Sequence, residues 1–219
     1  MFFQAYLKLE VRFFVSLVFF TLIFTTLYAS YQNNQDDIYD WKYYELTRNA
    51  INSHYYDLSY TQPLDIDDYC PNYKELDRQK RIEFWISFLK ELSLVESGDN
   101  PQTIYQEKFV DKEGFYVYSI GLFQLSLESA NGNYNCNIKD YEELKNPKIN
   151  IECTINIIDK LIQEDNMIRG YRIIAEEEQW RGLARYWGTL RDRKKINKIR
   201  YKLSNMPICK QELDFAFRR

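Results

Sequence analysis

The chain of 219 residues is poor in the residues on which several kinds of site depend. It contains one His, seven Gly and five Pro, and no Cys-x-x-Cys pair. Without clustered His and Cys ligands we expect no zinc site, and without a GxGxxG or Walker pattern we expect no phosphate-cradling loop. So few Gly and Pro also argue against a collagen-like or linker-rich chain. The sequence therefore predicts a protein with no metal and no cofactor.

The chain also lacks an excess of positive charge. Its 29 Lys and Arg face 32 Asp and Glu, a net charge of -3, so no nucleic-acid partner is expected. Bases prevail only near the C terminus, where Asp192 is the single acid among Arg181, Arg185, Arg191, Arg193, Lys194, Lys195, Lys198, Arg200 and Lys202. We interpret this basic stretch either as a contact for an anionic polymer such as peptidoglycan, for a membrane surface or for nucleic acid, or as a solvated helix face.

One long apolar run without charge lies at the N terminus. Lys8 and Arg12 precede residues 13–29, a run that is long for a signal peptide core and short for a membrane span. A large residue stands where a cleavage site needs a small one. Residues 1–29 are therefore predicted to be an uncleaved signal anchor, with a cleaved signal peptide and a buried core helix as alternatives. Either signal would export the rest of the chain, as an anchored protein on the periplasmic side of the inner membrane or as a secreted one.

All four Cys residues lie beyond this segment. An even number of Cys in an exported chain predicts two disulfides, for which three pairings are possible. Pairing Cys136 with Cys153 would close a short loop and leave Cys70 and Cys209 to join the two ends of the domain. We predict this pairing, with four free thiols as the alternative.

The remaining sequence predicts a mainly α domain with one small β-hairpin. Residues 30–73 are polar and acidic, and we read them as a linker, a tyrosine-rich helix near 39–57 and a loop. The domain proper is expected over 74–219. Apolar residues at three- and four-residue steps predict a helix over 74–95, which ends in a Gly/Asn/Pro cluster. A hairpin is predicted over 106–119, and helices near 121–130, 147–164, 174–190 and 192–205.

Glu96 differs from the other acids because it stands at the end of this apolar helix. An apolar wall disfavours the charged form of a carboxyl group and raises its pKa. A general acid that works near neutral pH needs such an environment. Composition alone would favour a plainer interpretation, in which Glu96 solvates a helix end.

Four short blocks follow one another in an order that gives Glu96 more weight. They are Glu96-Ser97, residues 119–125 (SIGLFQL), residues 146–153 (NPKINIEC) and residues 184–188 (ARYWG). In this order the blocks resemble the soluble lytic transglycosylase catalytic domain, a relative of goose-type lysozyme, over roughly residues 74–191. The resemblance implies a lysozyme-like α+β fold with one small hairpin, preceded here by the N-terminal hydrophobic helix. It also implies a glycosidase that binds peptidoglycan glycan strands and cleaves the MurNAc–GlcNAc bond.

The resemblance also implies roles for single residues. Glu96 matches the catalytic acid and base, and Tyr186 matches a Tyr whose hydroxyl lies near the catalytic carboxyl. The substrate-binding set expected by this match is Ser97, Ser119, Gly121, Leu122, Gln124 and Trp187. Three residues depart from the family pattern. Phe123 replaces a Met on the apolar cleft wall, and Cys153 replaces a Gly, as in a disulfide-bearing subgroup. Trp187 replaces an Asn, and would either stack on a sugar or belong to the core.

The resemblance implies one catalytic carboxyl. In a lytic transglycosylase this group protonates the glycosidic oxygen and then deprotonates the C6 hydroxyl of the same muramic acid, which closes a 1,6-anhydro ring. Hydrolysis would need a second carboxylate to position water, and Asp99, Glu107, Asp111 and Glu113 are candidates. We favour the lytic product. The alternatives are a hydrolytic lysozyme on the same fold, a non-catalytic cell-wall-binding protein, and a membrane-anchored structural protein.

Overall fold

A computed structural model describes residues 38–53, 58–174 and 177–210. The chain divides into two units, Met1–Asp40 and Trp41–Arg219. Of the first unit only residues 38–40 are described, and the predicted hydrophobic helix and signal anchor lie outside the described residues. Within the parts that are described, no helix is both long and apolar enough to cross a membrane. Every element below belongs to the second unit.

The described part of the second unit holds five α-helices. They are α1 (Tyr44–Ser53), α2 (Arg78–Ser97), α3 (Leu127–Tyr134), α4 (Pro147–Asp165) and α5 (Arg193–Ser204). The last four each begin at a polar residue whose side chain accepts a hydrogen bond from a backbone N–H of the first turn. These N-caps are Asp77, Ser126, Asn146 and Asp192. Helices α2, α4 and α5 follow the predicted ranges 74–95, 147–164 and 192–205, and α1 lies within the predicted range 39–57.

The core forms around α2 and α4, the two longest of these helices. Trp85 and Phe88 on α2 are fully buried, and so are Ile157 and Leu161 on α4. Helix α1 packs against both α2 and α4, α3 packs against α4, and α5 packs against α2. Helix α2 is thereby packed against both α1 and α5.

Two antiparallel hairpins complete the unit. Strands β1 (Ile104–Val110) and β2 (Tyr116–Ile120) form the hairpin predicted over 106–119, and β3 (Arg169–Ile174) pairs with β4 (Glu177–Gly182). The prediction of a helix over 174–190 is therefore wrong. A Glu-rich run has a high helix propensity, but tertiary contacts override such preferences.

Two carboxylates hold the ends of the second hairpin. Asp65 accepts hydrogen bonds from the backbone N–H groups of Ile168 and Arg169 at 2.7 and 2.8 Å, and Asp165 accepts one from Gly182 N at 2.7 Å. Beyond the hairpin the chain makes two short 3₁₀ turns, Leu183–Arg185 and Gly188–Leu190. The helix expected near 121–130 begins only at Leu127, because a turn precedes it.

The compact unit begins earlier than residue 74, the boundary expected from the sequence. Tyr69, Cys70 and Tyr73 are fully buried. The hydroxyl of Tyr73 accepts a hydrogen bond from Trp85 Nε1 on α2 at 2.9 Å. The segment before α2 therefore packs into the same core as that helix.

Both predicted disulfides are present, Cys70–Cys209 and Cys136–Cys153, with sequence separations of 139 and 17 residues. Replacing both Cys of the longer loop by Ser should lower the free energy of unfolding by about 4–5 kcal/mol, and replacing those of the shorter loop by about 3 kcal/mol. The reason is that each cross-link restricts the unfolded chain. Urea unfolding of the oxidised variants would measure both losses. Four alkylatable thiols in natively exported wild-type protein would contradict the pairing.

Candidate active site

Glu96 lies in the last turn of α2, which ends at Ser97. Gly98 follows with a φ of 64°, a left-handed conformation that turns the chain sharply away from the helix axis. The Glu96 side chain is partly buried, and this burial raises its pKa from 4.5 to about 7. A hydrogen bond from Thr189 and the charge of Lys195 oppose the rise, and the negative charge of Glu107 adds to it. A carboxyl with this pKa is partly protonated at neutral pH and can act as a general acid.

Thr189, and not Tyr186, donates the hydrogen bond that Glu96 accepts. The hydroxyl of Tyr186 accepts a hydrogen bond from Ser126 N at 3.2 Å, and its ring packs edge-on against Tyr134. This corrects the prediction that the Tyr186 hydroxyl points at Glu96. The 3₁₀ turn at 183–185 directs Tyr186 towards the start of α3, and the next turn brings Thr189 to the carboxyl group.

Replacing Thr189 by Val should move the pH dependence of catalysis. The hydrogen bond from Thr189 lowers the pKa of Glu96, so its loss should raise this pKa and shift the alkaline limb of the rate profile to higher pH. Turnover should also fall, by about tenfold, because the carboxyl is less well oriented. Thr189→Ser keeps the hydroxyl and is the matched control. An alkaline limb that is the same in the Val and Ser variants would contradict this role.

The turn after β2 is built around Gly121 and Asn150. Gly121 has a φ of 83°, and a Cβ there would lie 2.3 Å from the carbonyl oxygen of Leu144 and 2.4 Å from Asn150 Nδ2. Asn150, fully buried on α4, donates to the carbonyl oxygens of Ile120 and Leu144 at 3.1 and 2.9 Å. It also accepts from Phe123 N at 3.0 Å. The blocks at 119–125 and 146–153 are therefore joined by this one amide.

Hydrogen bonds also join this turn to the end of α2. The hydroxyl of Ser97 donates to the carbonyl oxygen of Leu122 at 2.8 Å. Gln124 Nε2 donates to the carbonyl oxygens of Thr103 and Gly121 at 3.2 and 2.9 Å. Ser97 and Gly121 thus hold the backbone next to Glu96.

Two residues expected to bind the saccharide belong to the core. Leu122 is 0% exposed and Trp187 is 2% exposed. Trp187 Nε1 donates to the carbonyl oxygen of Phe123, itself 0% exposed, at 2.9 Å. These burials correct the predictions that Leu122 and Trp187 contact the saccharide and that Phe123 lies on the cleft wall. The indole instead fixes the second 3₁₀ turn, which carries Thr189, against the turn at 121–124.

A cleft of about 1230 Å³ lies beside these turns. Its walls come from the first hairpin, α3 and the segment 185–191. Three predicted site residues, Ser119, Gln124 and Tyr186, line it. The charged residues of the lining are Glu107, Asp111, Lys112, Glu113, Glu128, Arg185 and Arg191. Polar and charged side chains therefore make up most of the cleft lining.

Of the four candidates for a second carboxylate, Glu107 is the one whose charge acts on Glu96. It lines the cleft, and its Oε1 accepts a hydrogen bond from Ser119 Oγ at 2.6 Å. Asp99 accepts from Trp41 Nε1 at 3.0 Å, and so ties the loop after α2 to the start of the unit. Asp111 accepts from two backbone N–H groups in the hairpin turn, both at 2.9 Å. Glu113 lies next to this turn.

The basic stretch does not form one surface. Arg181 and Arg185 pair with Asp165 at 3.2 and 3.3 Å, and Arg200 pairs with Asp68 at 2.8 Å. These arginines stabilise the fold. The bases that remain exposed on α5 are Arg193, Lys194, Lys195, Lys198 and Lys202. Among these, Lys195 is near enough to lower the pKa of Glu96.

Sequence reasoning missed Thr189 and Asn150. Asn150 stands inside a block that carried the resemblance, so its place in the pattern was a usable signal. Thr189 had no such signal, because only the fold brings it to Glu96 from 93 positions away.

The model of the transglycosylase SLT domain matches residues 76–203. The chain therefore belongs to this family, whose members are peptidoglycan lytic transglycosylases, enzymes of the glycosidase type. The lysozyme-like fold expected from the sequence is thereby confirmed for the mainly helical unit.

Solved structures of DslA are similar to this chain. The wild-type protein is 32% identical with a TM-score of 0.69, and the match covers 76% of this chain and 90% of that one. Two DslA variants, each with one Glu replaced by Gln, are 31% identical with the same TM-score and coverage. No curated protein matches the chain.

Proposed function

We propose that this protein cleaves the MurNAc–GlcNAc bond of peptidoglycan with Glu96 as the acid and base. The observation that carries this proposal is the buried Glu96 carboxyl with a pKa of about 7, whose partner Thr189 directly follows Gly188, a residue of the cleft wall. Near neutral pH this carboxyl can donate a proton to the glycosidic oxygen. The carboxylate that remains can then take a proton back, which is how one group serves both halves of the reaction.

The proposed products are 1,6-anhydroMurNAc ends. The bond from C1 to the glycosidic oxygen breaks as that oxygen takes the Glu96 proton. The C6 hydroxyl of the same sugar then bonds to C1 and returns its proton to Glu96, so no water is consumed. Membership of the transglycosylase family supports this outcome. One carboxyl group, that of Glu96, is sufficient for this reaction.

A hydrolytic outcome is the second candidate, and the position of Glu107 favours it. Hydrolysis needs a carboxylate that orients or deprotonates a water, and Glu107 faces the cleft near Glu96. The two glutamates replaced in the DslA variants are eleven positions apart, which is also the separation of Glu96 and Glu107. This match supports a joint role for the two residues here.

Digestion of purified sacculi, followed by mass spectrometry of the released muropeptides, tests both candidates. Anhydro ends identify the lytic reaction, and reducing ends, heavier by one water, identify hydrolysis. If the sacculi release no muropeptides but retain the protein, the chain is a binding protein and the proposed activity is wrong.

We also propose that the protein is exported, to the periplasm or beyond. The substrate lies outside the cytoplasm, and the two disulfides suit an oxidising compartment. Cell fractionation with antibody detection would test this. Recovery of the protein from the cytosol alone would contradict it, and recovery with the membrane would support an uncleaved N-terminal anchor.

A further inference from the structure

The second hairpin presents an exposed apolar face that the proposed reaction does not use. Tyr171 on β3 lies directly opposite Trp180 on β4, and the two rings are 5.8 Å apart. Ile173 shares this face, because alternate residues of a strand point to the same side. Tyr171 is 58% exposed and Ile173 is 67% exposed. We call these three residues the hairpin platform.

Two arginines fix the platform in place. The guanidinium of Arg169 lies 5.3 Å from the centroid of the Trp180 ring, and that of Arg191 lies 5.9 Å from it. Each is also bound to the backbone, because Arg169 Nε donates to Leu190 O and Arg191 Nε donates to Ala184 O, both at 2.8 Å. A contiguous apolar surface that is left exposed is typical of a binding surface.

The platform continues the wall of the cleft. Arg191, which covers the Trp180 ring, also lines the cleft together with Gly188. Between them in the chain lies Thr189, which binds Glu96. The short segment 188–191 therefore leads from the catalytic carboxyl, along the cleft wall, to the aromatic pair.

We propose that the hairpin platform binds sugar residues of the same glycan strand, beyond those that lie in the cleft. This inference rests on the proposed function. The C–H face of a pyranose ring is apolar and packs well on an exposed aromatic ring, which Tyr171 offers. The positive charge of Arg191 at the boundary suits the carboxylates that peptidoglycan carries on its lactyl groups and peptide stems. A second contact on one strand raises the affinity for long strands without changing the chemistry in the cleft.

Tyr171→Ala tests the platform in a kinetic assay. It should raise the KM for long glycan strands by about three- to tenfold, the range expected for loss of one aromatic contact. The rate with a short oligosaccharide that fills only the cleft should change by less than about twofold, since catalysis is untouched. Tyr171→Phe should restore the KM. Tyr201→Ala is the matched control, because Tyr201 on α5 is 69% exposed and lies away from the hairpin in the chain. Equal KM values for Tyr171→Ala and Tyr201→Ala would overturn the proposal.

Tryptophan fluorescence gives a direct measurement of binding. Of the four Trp residues, Trp41, Trp85 and Trp187 are 6%, 0% and 2% exposed, so an aqueous quencher reports mainly on Trp180. In the Glu96→Gln variant, long glycan strands should protect Trp180 from acrylamide and short oligosaccharides should not.

Any other result of the quenching experiment would contradict glycan binding by the hairpin platform. Protection by anionic lipid vesicles but not by glycan would assign the face to a membrane, and no protection by either would leave it without this role. Because this binding needs no turnover, its failure is separate from failure of the proposed reaction, which the muropeptide products decide.

Discussion

Glu96→Gln is expected to lower turnover of sacculi by at least about 10²–10⁴-fold while the protein stays folded and binds glycan. The amide keeps the shape of the side chain and can still accept the hydrogen bond from Thr189, but it cannot donate and recover a proton. Release of muropeptides, measured against binding of the variant to sacculi, separates the two effects. Glu128→Gln is the matched control, since Glu128 lines the same cleft, is not a candidate for the second carboxylate, and should change turnover by less than about twofold. Wild-type turnover in Glu96→Gln would remove Glu96 from the mechanism.

The same variant should also change how stability depends on pH. The pKa of Glu96 rises from 4.5 to about 7 on folding, so the folded protein binds more protons than the unfolded chain between these values. Ionisation of this carboxyl in the unfolded chain therefore lowers the free energy of unfolding progressively as the pH rises through this window, by an amount on the order of 3 kcal/mol. A Gln side chain does not ionise, so the free energy of unfolding of Glu96→Gln does not fall for this reason in this pH window. Its melting temperature should equal that of the wild type near pH 4 and exceed it above about pH 7.

The parts of the fold that the sequence predicts well are those with a strong local pattern. Helix α2 has apolar residues at helical spacing and a Gly just after its end, so both its existence and its C terminus are predictable. The first hairpin has alternating apolar residues on each side of an Asp-Lys-Glu-Gly turn. The disulfides follow from a count of four Cys and from chain distances. For the helix and the hairpin the necessary information lies within a few neighbouring residues.

The second hairpin is the main exception, because its stability is not local. Asp65 binds the backbone at the start of β3 from more than a hundred residues away, and Asp165 binds the end of β4. A sequence window over 174–190 contains neither partner, and its Glu-rich run favours a helix. The error matters for function, since this hairpin carries Tyr171 and Trp180.

In the candidate site, too, the sequence predicts the residue with a local pattern and does not predict the contact that depends on the fold. Glu96 is predictable because it stands where an apolar helix meets a turn, and that environment also explains its pKa. The partner of Glu96 is not predictable from residue type, since both Tyr186 and Thr189 offer a hydroxyl and lie three residues apart. Two consecutive 3₁₀ turns, together with the buried indole of Trp187 that anchors the second turn, determine that Thr189 and not Tyr186 binds Glu96.

Glu107→Gln is the variant that separates the two candidate reactions. If the enzyme hydrolyses the glycosidic bond, Gln cannot accept the proton of the attacking water, and reducing-end products should fall by about 10²–10⁴-fold. Attack by the C6 hydroxyl needs only Glu96, so anhydro ends should then dominate the remaining products. If the enzyme is a lytic transglycosylase, its products and turnover should change little.

The pH profile of Glu107→Gln provides a second, independent readout. The negative charge of Glu107 raises the pKa of Glu96, so its removal should lower that pKa and move the alkaline limb of the rate profile to lower pH in either mechanism. This shift shows that the variant is folded and that the two side chains face each other, while the ratio of anhydro to reducing ends reports the chemistry. Ser119→Ala keeps the carboxylate of Glu107 but removes its 2.6 Å hydrogen bond, so it should change the product ratio in the same direction and by less. An unshifted limb together with an unchanged product ratio would place Glu107 outside the site. A shifted limb with only anhydro products, in wild type and variant alike, would leave Glu96 as the sole catalytic carboxyl.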